Sequence, residues 1–197
     1  MIGVPLDAAP RKPLRVLHVE DSENDSALIM RELRRGGFDP RFERVETRAA
    51  FKDALREKDW DVIISDYALP GYNGAAALAD ARGMGRDIPF ILVSGTIGEE
   101  TAVDAMRAGA HDYVLKNRLS RLVPAVAREL RESKERRARR VAEDALRESE
   151  GRFRRLGESG LAGIIVAEHS GKIVAANDAF LAMVAYLRDD LAAGLAP

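Results

Sequence analysis

Glu20, Asp21, Asp66, Ser94 and Lys116 are side chains whose types and placement could serve a single reaction. Carboxylates crowded together repel, and two unit charges about 4 Å apart cost about 4 kcal/mol at a protein-like dielectric. Three of them need a cation or a raised pKa to be tolerated. Oxygen-only ligands with open positions suit Mg²⁺, which keeps several waters and shares the oxygens of a phosphate. Lys116 offers a mobile point charge and Ser94 a hydroxyl donor. A carboxylate nucleophile, a divalent cation, an amine and an alcohol are what phosphoryl transfer to an aspartate requires.

Taken singly, each residue has an ordinary explanation. An acid after a strand is usually a turn or cap residue, a lone lysine is solvated, and a lone serine caps a helix. Their joint placement outweighs those readings, because each ends a short apolar run of strand length. Leu14–Val19 stops at Glu20-Asp21. Val62–Asp66 ends in its own acid and is followed by the turn Pro70-Gly71. Pro89–Ser94 ends in the serine, and Asp112–Lys116 in the lysine. A weaker strand is expected over Arg41–Val45.

Between these runs lie helical stretches. Ala27 to Leu33 carries an apolar stripe, with Ser22 and Asn24 as candidate caps and Gly36-Gly37 as its stop. Arg48–Glu57, the alanine-rich Gly74–Met84 and Glu99–Ala108 follow. Strand and helix alternate five times, which implies an α/β fold: a doubly wound, flavodoxin-like, five-stranded parallel sheet with helices on both faces. If the strands are parallel, their C-terminal ends, where such folds bind ligands, bring the five residues to one rim.

Composition narrows the partners. The 197 residues carry a net charge of -1, so no global field draws the chain to nucleic acid or membrane. There is no cysteine, hence no disulfide and no thiolate metal site. No apolar run approaches the roughly 20 residues needed to cross a bilayer. A cytoplasmic protein is expected, with no membrane partner. Arg136, Arg137, Arg139 and Arg140 are interleaved with acids and lack aromatic partners, so no nucleic-acid binding is expected either.

From Leu119 the pattern becomes one long helix reaching Leu156, roughly 55 Å at 1.5 Å per residue. The spacing Leu146, Ser149, Phe153, Leu156 alternates three and four, as in a coiled-coil seam. A homodimer through this 119–156 helix is expected, because so long a helix is rarely stable alone. A solvated helix laced by i,i+4 charge pairs is the plainer alternative. Beyond it, Gly163–Val166 and Ile173–Ala175 read as a hairpin around His169-Ser170-Gly171-Lys172, and Asn177-Asp178 caps a helix Ala179–Val184.

The set Glu20-Asp21, Asp66 with Leu69-Pro70 and Gly74, Ser94-Gly95-Thr96, and Asp112-Tyr113-Val114-Leu115-Lys116 resembles the receiver domain of two-component response regulators. The resemblance covers about Leu14 to Arg131. It implies that Asp66 accepts a phosphoryl group from a phosphohistidine, supplied by a histidine kinase or phosphotransfer protein. It implies Mg²⁺ held by Asp21, Asp66 and the carbonyl of Ala68, with Glu20 acting mainly through water. Ser94 and Lys116 would bind phosphoryl oxygens, and Ser94 and Tyr113 would form the switch pair. Such a receiver is not an enzyme with a substrate of its own.

Two departures stand out. The family usually has proline after the lysine, often with a cis bond, where this chain has Asn117. It often has a polar residue two after the acceptor, where Ala68 cannot orient a water; slow loss of phosphate is expected. Phe153 to Leu195 resembles the start of a PAS sensor domain, without the later strands that complete a sensing pocket. The expected organisation is a flexible leader (1–13), a receiver (14–131), a coiled-coil linker (132–156) and a truncated PAS-like segment (157–197). A flavodoxin-like or nucleotide-binding enzyme is disfavoured by the lack of a glycine-rich phosphate loop after the first strand. The remaining alternative is a non-switching, receiver-like dimerisation scaffold.

Overall fold

A computed structural model describes residues 11–95, 99–158, 163–171 and 173–185. Residues 1–10 of the expected leader, Thr96, Lys172 and residues 186–197 lie outside the described residues. The chain divides into two compact units, Met1–Arg137 and Ala138–Pro197.

The first unit is built on five parallel strands: β1 (Lys12–Val19), β2 (Phe38–Val45), β3 (Val62–Asp66), β4 (Phe90–Ser94) and β5 (Asp112–Leu115). Their order is β2-β1-β3-β4-β5. Four helices alternate with them: α1 (Glu23–Arg35), α2 (Arg48–Glu57), α3 (Gly74–Gly83) and α4 (Glu99–Arg107). A 3₁₀ segment, Lys116–Arg121, leads into α5 (Leu122–Glu158). Since β3 and β4 are buried at every position, the sheet is covered on both faces, as parallel sheets are. One face packs Val16, Ile64 and Val93 against Ile29, Met30 and Leu33 of α1 and Leu122 and Val126 of α5. The other packs Leu17, Ile63 and Leu92 against Phe51 and Leu55 of α2 and Leu78 of α3.

Two strands run longer than their sequence pattern suggests, each time across a proline. β1 begins at Lys12, so Lys12 and Pro13 are not leader. The Lys12 N–H donates to the Gly37 carbonyl on the β2 side, so the Pro13 nitrogen faces the opposite side, where β3 joins β1 only from Val16. β2 begins at Phe38 rather than Arg41, and Pro40 is tolerated within it because β2 is an edge strand. At the other end of the domain, β5 stops at Leu115, and the helix expected from Leu119 begins at Leu122 after the 3₁₀ segment.

Capping follows the residues. Ser22, Thr47 and Asn73 accept the amides of Asp25, Ala50 and Ala76. Gly37 (φ 87°) and Gly109 (φ 99°) take the left-handed turns that follow α1 and α4. Pro124 stands in the first turn of α5, where proline is tolerated. Arg136 of α5 pairs with Asp87 at 3.2 Å, and Ser133 Oγ donates to the Asp87 carbonyl.

The second unit holds the C-terminal part of α5, the antiparallel pair β6 (Ile165–Ala167) and β7 (Ile173–Ala176), and α6 (Asp178–Val184) capped by Asn177. The first hairpin strand thus starts two residues later and ends one residue later than the expected Gly163–Val166. Among the described residues no helix is long and apolar enough to cross a membrane.

Candidate phosphoryl site at the C-terminal rim

The register fixes which strand ends meet. Val19 lies opposite Ser65, which puts Glu20 beside Asp66. Asp66 lies opposite Val93, and Ser94 opposite Leu115, the neighbour of Lys116. One carboxylate oxygen from each of Glu20, Asp21 and Asp66 falls within 4.8 Å of the others. Glu20 is fully buried, Asp66 is 7% exposed, and Asp21 is exposed.

Lys116 ties the rim together. Its Nζ donates to Glu20 Oε2 at 3.0 Å, Asp25 Oδ2 at 2.5 Å and Asp66 Oδ2 at 2.8 Å. Burial works against its charge, but the three carboxylate bonds outweigh burial and hold its pKa above the ordinary value. Glu20 is pushed the other way for a carboxylate. Burial raises its pKa more than Lys116 and the Ser22 amide lower it, and Asp66 adds repulsion. One lysine therefore under-compensates this cluster, and a hard divalent cation would complete it.

Backbone groups finish the arrangement. The Ala68 N–H donates to Asp66 Oδ1 at 3.2 Å, within the loop that follows β3. Arg44 holds the other loop from behind, its guanidinium donating to the carbonyls of Glu20 and Asp21 at 3.1 and 3.0 Å. Gly74 lets α3 start against β3. A Cβ there would come within 2.6 Å of Leu92 Cδ2 and 2.8 Å of the Asp66 carbonyl oxygen.

The model of the response regulator receiver domain matches residues 16–127. The chain belongs to that family. Over 109 residues it is 29% identical to the transcriptional regulatory protein ZraR of Salmonella typhimurium, covering 54% of this chain and 24% of ZraR. It therefore spans about a quarter of that regulator's length. Over 105 residues it is 28% identical to a chemotaxis protein CheY homolog of Campylobacter jejuni, covering 52% of this chain and 81% of that protein. The signal receiver domain of a signal transduction histidine kinase from Syntrophus aciditrophicus superposes with a TM-score of 0.52 at 27% identity, covering 60% of this chain and 91% of that one.

Within this receiver domain, Ser94 ends β4 with 1% of its surface exposed. Tyr113 is half-buried on β5, and its hydroxyl is buried without a hydrogen-bond partner among the described residues. Burial pushes that phenol's pKa up. The bond between Lys116 and Asn117 is trans. Two of the three histidines take structural places. His18 is fully buried on β1 with Nδ1 2.9 Å from Ser26 Oγ, and His111 Nδ1 accepts the Phe90 amide at 3.0 Å.

Sequence reasoning does not single out Asp25. It lies in the first turn of α1, where acids are common for their effect on the helix dipole alone. Its spacing from Asp21, one helical turn on, is the only signal along the chain that it faces the same rim.

Proposed function

We propose that this receiver accepts a phosphoryl group on Asp66 in an Mg²⁺-dependent reaction with a phosphohistidine donor. The observation that carries the reading is the shared contact of Lys116 with Asp66 and Glu20, in a cluster whose buried acid is left under-compensated. Asp21, Asp66 and the Ala68 carbonyl would hold the cation, with Glu20 reaching it mainly through water. The bound cation supplies charge neutralisation for carboxylate and phosphate oxygens. Asp66 attacks phosphorus as the bond to the donor imidazole breaks, and the imidazole leaves. Lys116 and Ser94 receive the phosphoryl oxygens. Inward movement of Ser94 makes room that Tyr113 fills, which couples the site to the face of β4 and β5.

Beryllofluoride, a phosphoryl mimic, is expected to bind the wild type only with Mg²⁺ present, and Asp66→Asn not at all. Mimic binding that survives the loss of Mg²⁺ or of the Asp66 carboxylate contradicts the reading. Ala68 offers no side chain to orient an attacking water, so the phosphorylated form loses phosphate slowly. Ala68→Asn should shorten its lifetime. A wild-type half-life of seconds, or no change in the variant, counts against this assignment.

The output is carried by α5. Its distal part exposes Val141 and Leu146, on a 37-residue helix that a second copy would cover as a coiled coil. The hairpin β6–β7 with α6 supports a PAS-like segment after it, in a cytoplasmic signalling protein that is itself not an enzyme. The domain limits, with β1 from Lys12 included in the receiver, are a receiver to 131, a linker over 132–156 and a PAS-like segment over 157–197. The scaffold alternative would use the same exposed residues of α5, and binding of the mimic at Asp66 is what separates the two readings.

A further inference from the structure

Asp25 stands at the third position of α1, three residues after the cap Ser22. An acid there ordinarily reaches back to the capping residue's amide and closes a reciprocal pair of bonds. Half of that pair is present: Ser22 Oγ accepts the Asp25 N–H at 3.2 Å. For the other half, the Ser22 N–H donates to Glu20 Oε1 at 3.1 Å, and the Asp25 carboxylate takes Lys116 instead. Glu20 has assumed the local capping role, and Asp25 is turned toward the lysine.

An ammonium has three N–H donors. All three are matched, by Glu20, Asp25 and Asp66. Phosphorylation consumes the Asp66 carboxylate and passes that donor to a phosphoryl oxygen; the added charge and acceptor oxygens draw the ammonium further, and a second donor must then come from Glu20 or Asp25. Releasing Glu20 would strand a carboxylate that is fully buried. The Asp25 side chain is 38% exposed, so water can replace the lysine there at small cost. Asp25 is the partner that gives way.

We infer that Asp25 is a positioning residue: it restrains Lys116 in the unphosphorylated receiver and competes with the phosphoryl group for it. The inference rests on the reading of Asp66 as phosphoacceptor. Neutralising Asp25 releases a less-compensated lysine to the site, so an anion binds more tightly and a cation less tightly. A residue that merely supported α1 would weaken both.

The test uses the full chain. Beryllofluoride is titrated with Mg²⁺ saturating, and Mg²⁺ is titrated alone, in wild type, Asp25→Asn, Asp25→Glu and Glu23→Gln. Glu23 lies on the same first turn but pairs with Arg44, at 3.3 Å, and controls for general loss of negative charge. Asp25→Asn is expected to tighten mimic binding about three- to tenfold and to weaken Mg²⁺ binding. Asp25→Glu should fall nearer wild type, and Glu23→Gln should move neither by more than about twofold. Equal shifts in Glu23→Gln overturn the inference, as do weaker binding of both ligands in Asp25→Asn. A wild type that binds mimic with Asp25→Asn indistinguishable from it overturns this inference alone. A wild type that binds no mimic overturns the phosphoacceptor reading and this one with it.

Discussion

Lys116→Met should cost about 3 kcal/mol of unfolding free energy at neutral pH without divalent cations, the size expected when one partner of a buried ion pair is removed. The side chain is 20% exposed and meets three acids, of which Glu20 is fully buried. Removing the ammonium leaves Glu20 beside Asp66 and Asp21 with only the Ser22 and Ala68 amides to offset the repulsion. The Glu20 pKa, already raised by burial, must rise further. An acid with a raised folded pKa favours the folded state when protonated. The penalty should therefore shrink as pH falls toward the ordinary carboxylate value of 4.5. It should shrink in the same way at neutral pH when Mg²⁺ is added, since a cation supplies the missing charge. Urea unfolding of wild type and variant, with and without Mg²⁺, reads both effects. A loss that ignores both pH and Mg²⁺ would mean that Lys116 only packs its aliphatic stem.

A second large effect concerns His18. Burial, with lesser repulsion from Lys116 and Arg44, pushes its pKa from 6.5 down to about 3. The folded state thus holds a neutral imidazole where the unfolded chain would take a proton. Its contribution is fully present above about pH 6.5 and is lost progressively as pH falls toward about 3. Each pH unit in that window removes up to about 1.4 kcal/mol, for a total of about 5 kcal/mol. His111, also lowered chiefly by burial, adds to this slope. Glu20, whose pKa is raised, works against it near its own titration. His18→Asn should be less stable at neutral pH, because the buried ring is lost, yet show a flatter decline between about pH 6.5 and 5. An unchanged slope would place the acid sensitivity elsewhere.

Much of the domain is legible in the chain alone because its signals are local and unambiguous. Val62–Asp66 is apolar, β-branched and closed by a turn, and β3 occupies those residues. Arg48–Glu57 carries Phe51 and Leu55 on one apolar face, and α2 occupies those residues. The strands that extend beyond their sequence pattern contain Pro13 and Pro40, whose tolerance depends on which neighbouring strand is present at that level. That is topology, and no window along the chain contains it. The site shows the same division. Glu20, Asp66 and Lys116 stand at strand ends, so parallel alternation alone brings them to one rim. Asp25 is on a helix, and its contact with Lys116 depends on how α1 is rotated over the sheet and on Glu20 claiming the Ser22 amide. Arg44 likewise reads as one more charge on an edge strand until its bonds to the carbonyls of Glu20 and Asp21 are seen.

Phosphorylation of Asp66 is tested most directly by incubating the purified chain with Mg²⁺ and a small-molecule phosphodonor, trapping the product, and locating it by peptide mass mapping. The expected product is one alkali-labile acyl phosphate, on Asp66, absent without Mg²⁺ and absent from Asp66→Asn. A phosphoryl group found on another residue, or none on Asp66 in a folded protein shown to bind Mg²⁺, would contradict it.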